Sequence, residues 1–133
     1  MSVVVVDANV VVKWFVDEAG ADRASAFRSG AMVAPDLVFA EVGNALWKLQ
    51  RKGVLTAADY WEAVQALRVA PIGVVSVLEL LPSAARLALE LDHPLHDCFY
   101  LALAMREGAP LVTANQRLLA VAGPRFGGFV RGL

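Results

Sequence analysis

Short, mostly apolar runs recur along this chain, and each hands over to a stretch of helical character: Val3–Val6, Met32–Pro35, Val74–Val77 and Leu111–Ala114. Runs of this length, rich in valine and without polar alternation, suit strands buried on both faces. Strands that alternate with helices predict a parallel α/β sheet covered on both sides. The intervening segments supply the cover. ANVVVKWFVDE reads as a helix ending near Gly20, and Asp22–Ser29 as a second, short one. Asp36 is placed to cap a long helix that runs to Lys52 and stops at Gly53. Thr56 caps AADYWEAVQALRVA, which ends before Pro71. Helices over Pro82–Leu91, HDCFYLALAMREG and NQRLLAVA follow, with a last edge strand expected near Phe129. No repeat, linker or low-complexity tract interrupts the pattern. A single domain over residues 1–133 is expected, a length sufficient for one core.

Hydrophobic residues make up 58% of the chain, and the mean hydropathy is +0.56. No apolar run reaches the roughly 18 residues of a membrane span, so the surplus belongs in a core or in an interface with another chain. The valines have no basic segment before them and no small-residue cleavage site after them, which argues against a secretory signal. The single cysteine, Cys98, excludes an internal disulfide framework and suits a cytoplasmic protein. Twelve basic residues against thirteen acidic ones leave a net charge of −1, which does not advertise nucleic-acid binding but permits a local basic patch.

In VVVVDANVVVKWF a buried-type strand ends on an aspartate. Ligands of open α/β sheets collect beyond the carboxyl ends of the strands, and Asp7 stands at such an end. Asn115 follows the fourth strand in the same way. Asp97 lies in the first turn of the helix opening at HDCFY, and Glu41 lies one to two turns into the helix after the second strand. Each has an ordinary explanation. Asp7 can cap a helix, and Asp97 can favour a helix N-terminus. Glu41 shares a face with Asn44, Lys48, Arg51 and Lys52, as on a solvated stripe. Asn115 or Thr113 can cap NQRLLAVA.

Together they suggest a site. Two carboxylates ~4 Å apart repel by roughly 4 kcal/mol at an effective dielectric of 20. Three of them converging in a crevice call for a proton or a cation. No lysine or arginine adjoins them in sequence, and an all-oxygen donor set favours Mg2+ or Mn2+. Such an ion suits hydrolysis at phosphorus. Lys13, Lys48, Arg51 and Arg117 are candidates to line the approach and hold a phosphate backbone. His93, His96 and Cys98 lie close together, but Pro94 and the lack of further ligands argue against zinc.

The strings VVVVDANVVVKWF, PDLVFAEVGNALWKLQRKG and DHPLHDCFYLALAMREGAPLVTANQRLL resemble the PIN-domain ribonucleases, and within them the VapC toxins of toxin–antitoxin pairs, over nearly the whole chain. The resemblance implies a three-layer α/β/α domain with a central parallel sheet of four to five strands. It places the family's acids on Asp7, Glu41 and Asp97, with Thr113 on its threonine and Asn115 on its fourth acidic position. It further implies Mg2+- or Mn2+-dependent cleavage of RNA by an activated water, homodimers, and restraint by a small antitoxin, one of whose arginines can enter the crevice. Asn115 is a departure that removes one charge and puts a second metal in doubt. His96 stands where an aromatic residue is expected. Asp7, Asp97 and Glu41 are thus the candidate metal ligands, Asn115 a candidate to steer water or substrate, and Thr113, Lys13, Lys48 and Arg117 candidate substrate contacts. Leu37–Leu49 and the helix around Val64 and Leu67 are the candidate antitoxin surface.

Two other readings stay open. A PIN domain lacking its fourth acid can bind RNA or a partner without cutting. A phosphohydrolase with a nucleophilic aspartate would also start after an apolar strand, but its acid two residues later is Asn9 here.

Overall fold

The computed structural model describes residues 3–16, 19–26 and 30–133. Five strands form one wholly parallel sheet: β1 (Val3–Val6), β2 (Ala31–Pro35), β3 (Ile72–Val75), β4 (Leu111–Thr113) and β5 (Val130–Gly132), in the order β3-β2-β1-β4-β5. Between them lie α1 (Ala8–Val11), α2 (Ala21–Ala26), α3 (Leu37–Arg51), α4 (Ala57–Arg68), α5 (Val77–Leu91), α6 (Leu95–Glu107) and α7 (Gln116–Phe126). The chain winds from β1 outward to β3, then returns past β1 to build β4 and β5. Crossovers of parallel strands are right-handed, so this reversal assigns the helices before β3 and those after it to opposite faces. The result is the three-layer arrangement expected. The reversal also makes the gap between the ends of β1 and β4 the switch point of the sheet, where a ligand crevice opens.

The core follows from the apolar runs. Val5, Val6, Leu111 and Leu118 are fully buried. Helix α6 contacts β1, β2 and β4 and packs along α5. Covered on more than one side, it is buried continuously from Cys98 to Ala104, which explains its nearly all-apolar sequence.

Several boundaries differ from those expected. The helix after Asp7 ends at Val11 and tightens into a 3-10 turn, Val12–Trp14. Three successive β-branched valines are poor helix formers, and the end of that predicted helix at Asp17 and Glu18 lies outside the described residues. The second helix covers Ala21–Ala26, and its predicted end at Phe27–Ser29 likewise lies outside them. The third strand is Ile72–Val75 rather than Val74–Val77, in register with β2 from Met32↔Ile72 to Pro35↔Val75. An apolar run does not fix its own register. Here Ser76 ends the strand, its hydroxyl accepting the Leu78 N–H at 3.1 Å, so α5 begins at Val77 instead of Pro82. Pro82 then sits inside the helix, where it withholds a hydrogen bond from the Leu78 carbonyl, and Leu78 is exposed enough for water to substitute. Asp36 precedes α3 as expected but does not cap it; its Oδ1 accepts the Val77 N–H at 3.1 Å and so ties β2 to α5. Gly53 follows α3 with φ +81°, a left-handed turn that favours glycine. Thr56 and Asp59 form a reciprocal capping box at α4.

Candidate active site

A groove of about 420 Å³ opens at the switch point, lined among others by Asp7, Asn9, Glu41, Lys48, His96 and Asp97. Asp7 reaches it because β1 ends there. Its backbone N–H still pairs with Val112 on β4 at 3.1 Å, and its carboxylate makes no capping bond to α1. Asp7 is only 4% exposed, and its Oδ2 accepts the Thr113 hydroxyl at 2.8 Å. Burial, helped by the charges of Asp97 and Glu41, raises its pKa from 3.8 to about 7, against the lowering effect of Thr113 and of the Ala8 N–H. Glu41, on α3, accepts the Tyr100 hydroxyl at 2.5 Å. Its pKa is also raised, first by burial and then by Asp97, while Tyr100 and His96 oppose the shift. Tyr100 is itself fully buried, and burial together with the nearby carboxylates pushes its hydroxyl well above the usual range, so it stays a donor. Asp97 sits in the first turn of α6, where the helix dipole favours its charge. Its Oδ2 receives Asn115 Nδ2 at 3.1 Å and lies 2.7 Å from His93 Nε2.

One network joins the two aspartates. Thr113 Oγ1 donates to Asp7 and accepts from Asn9 Nδ2 at 3.2 Å and from the Asn115 N–H at 3.0 Å, which uses its one proton and both lone pairs. Asn9 Oδ1 accepts the Ala114 N–H at 2.9 Å, and Asn115 Oδ1 caps α7 by accepting the Leu118 N–H at 3.0 Å. Asn115 therefore serves as helix cap and as donor to Asp97 at once.

The fold thus brings Asp7, Glu41, Asp97 and Asn115 to one place and puts Lys48 on the groove wall. It does not bring the other candidate substrate contacts there. Thr113 is fully buried behind Asp7 and has no surface to offer a substrate. Lys13 binds the Ala19 carbonyl at 2.8 Å, and Arg117 is exposed on α7; neither lines the groove. His96 stands at the rim, its side chain 58% exposed, with Nε2 3.6 Å from Asp97 Oδ1. Asn9, Tyr100 and His93 are site residues that the sequence reading did not assign. A signal for one of them was present: Tyr100 is three residues after Asp97, a spacing that shares a helix face.

The donors suit a hard cation. Hydroxyl donors hold Asp7 and Glu41 in place, the Asn115 amide and the His93 ring hold Asp97, and among the described residues no lysine or arginine forms an ion pair with any of the three. Their charge is oriented and meets no lysine or arginine counter-charge among the described residues. Among the described residues no three His, Cys, Asp or Glu side chains stand close enough to grip one ion directly. Mg2+ keeps several waters and takes one or two carboxylates, so a hydrated Mg2+ or Mn2+ fits this groove, whereas a tightly wrapped four-ligand ion does not.

A parallel α/β/α sheet with acids gathered at its switch point defines a class, and the sequence matches it: residues 4–124 fit the PIN domain, and the chain belongs to that family. Its relatives include proteins named ribonuclease VapC3. That of Pyrobaculum aerophilum is 33% identical over 123 residues, covering 86% of this chain and 90% of the relative. That of Mycobacterium tuberculosis is 38% identical over 121 residues, covering 86% and 84%. Among solved structures, a toxin–antitoxin complex from Klebsiella pneumoniae shares the fold with a TM-score of 0.71 at 18% identity, covering 96% of this chain and 95% of that one. A solved Pyrobaculum aerophilum protein superposes with a TM-score of 0.69 at 26% identity, covering 98% of this chain and 83% of that one.

Proposed function

We propose that this chain is a divalent-metal-dependent endoribonuclease and the toxin half of a toxin–antitoxin pair acting in the cytoplasm. The observation that carries the reading is the set of oriented carboxylates of Asp7, Glu41 and Asp97 on one groove, with no lysine or arginine paired to them among the described residues. Asp7 and Asp97 would hold Mg2+ or Mn2+, with Glu41 reaching it through water. The ion, when bound, supplies an activated water and neutralises charge developing on phosphorus. Thr113 and Tyr100 keep Asp7 and Glu41 aimed at the groove. Lys48 on the groove wall and the exposed His96 at its rim offer donors to RNA phosphates. Asn115 caps α7 through Oδ1 and donates Nδ2 to Asp97, and it brings no charge where a fourth acid would stand, so the site takes one ion rather than two.

The partner reading is supported by the fold shared with a chain of the Klebsiella pneumoniae toxin–antitoxin complex and by a second feature. An apolar cleft of about 380 Å³ runs between α3 and α4, lined by Phe39, Gly43, Tyr60, Val64, Leu67 and Arg68. It suits an amphipathic helix from an antitoxin. The high apolar content and the exposed Trp47 and Trp61 agree with further burial against a second copy.

The decisive experiment is RNA cleavage in Mg2+ by the wild-type chain and by Asp97→Asn. The substituted amide still accepts a hydrogen bond but carries no charge, so cleavage should vanish while the circular dichroism spectrum is kept. Equal cleavage by both chains refutes the mechanism; Mn2+ binding without any cleavage by the wild type marks a silent domain that binds RNA or a partner without cutting.

A further inference from the structure

The α5–α6 junction holds a buried histidine that no step above requires. Asp92 ends α5 in the left-handed conformation, and the His93 N–H returns to the Ala88 carbonyl at 3.2 Å. The Cys98 thiol approaches the His93 carbonyl at 3.9 Å. Backbone and ring are thus fixed together, and the side chain is only 1% exposed. Its Nε2 lies 2.7 Å from Asp97 Oδ2, and an ionised carboxylate can only accept, so Nε2 carries the proton. Asn115 Nδ2 reaches the same oxygen at 3.1 Å. Two donors on Oδ2 leave Oδ1 as the Asp97 oxygen without a hydrogen bond among the described residues.

The other ring nitrogen, Nδ1, is buried without a partner. Such a group costs stability, and an apolar side chain of similar size would avoid that cost. The ring is therefore retained for what Nε2 does. Donors behind a ligating carboxylate set its orientation and tune its affinity for the ion.

We infer that His93 is a positioning residue: with Asn115 it immobilises Asp97 through Oδ2, so that Asp97 offers the cation Oδ1 alone. The inference rests on the metal-dependent reading proposed above. The test is calorimetric titration of Mn2+ into the full chain and its variants, with RNA cleavage at fixed and at saturating Mn2+ beside it. His93→Leu should weaken Mn2+ binding roughly ten- to a hundredfold. It should lower kcat at fixed Mn2+ with KM for RNA unchanged, and saturating Mn2+ should recover the rate. His93→Gln, which keeps an N–H near the place of Nε2, should regain most of the affinity. Asn115→Ser keeps a cap on α7 but removes the amide donor to Asp97, so it should weaken binding too, and it reports on the same oxygen should His93→Leu fail to fold. A wild-type chain that binds no Mn2+ overturns the metal reading and this inference with it. Wild-type binding that His93→Leu, or Asn115→Ser if the former is unfolded, leaves intact overturns this inference alone. So does a His93→Gln variant as weak as His93→Leu.

Discussion

Asp7→Asn separates the charge at the groove from the shape of the side chain. An asparagine Oδ1 can still accept the Thr113 hydroxyl, so the network behind position 7 survives while its ionisation is removed. The Asp7 pKa is raised from 3.8 to about 7, chiefly because burial penalises the charged form. A raised folded pKa makes Asp7's contribution most favourable below the unfolded value and progressively lost as pH climbs through the folded one. At about 1.4 kcal/mol per pH unit, ionising Asp7 in the metal-free protein costs about 4 kcal/mol once the pH is above 7. Urea denaturation in EDTA should therefore find Asp7→Asn more stable than wild type at pH 8. The advantage should grow by about 3 kcal/mol between pH 5 and pH 8, since wild type alone loses the term. Adding Mn2+ at pH 8 should reverse the order, because the ion stabilises the state that binds it. If the two chains show parallel stability–pH curves without metal, Asp7 is not held as a strained, uncompensated charge, and the case for a cation at the groove loses its main support.

Two smaller perturbations probe the rest of the site. Tyr100→Phe removes the buried donor to Glu41 while keeping the ring in the α6 core, and should cost about 1 kcal/mol in chemical denaturation; an unchanged midpoint would mean that this hydrogen bond does not hold Glu41. Lys48→Ala, in an Asp97→Asn background that cannot cut, should weaken binding of labelled single-stranded RNA across sequences. It should also reduce the slope of log K against log salt by about 0.7, one phosphate contact's worth; an unaltered slope in fluorescence anisotropy would remove Lys48 from the RNA path.

Much of this protein is legible in its residues. The alternation of apolar runs and helical stretches specifies the layers, because a strand covered on both faces must be apolar throughout while its helices need one apolar stripe. Asp7, Glu41 and Asp97 stand out as acids on elements that open on one edge. Local chemistry also suffices where a single turn decides, as at the Thr56 capping box and Gly53. It fails where two segments compete for the same valines: the register of β3 and the start of α5 depend on Ser76 and on an Asp36 carboxylate at the end of another strand.

The sequence by itself determined the class of fold and which charges gather at its mouth, since both follow from side-chain polarity repeated along the chain. Only the tertiary structure decided how those charges are held. Thr113 lies 106 residues from Asp7, and Asn9 lies 104 from Thr113. Side by side at the ends of β1 and β4 they become neighbours, and the parallel register Val6↔Val112 alone sets that pairing. A hydrogen bond acts over about 3 Å of space, and no spacing along a chain encodes which distant donor will stand at the end of it.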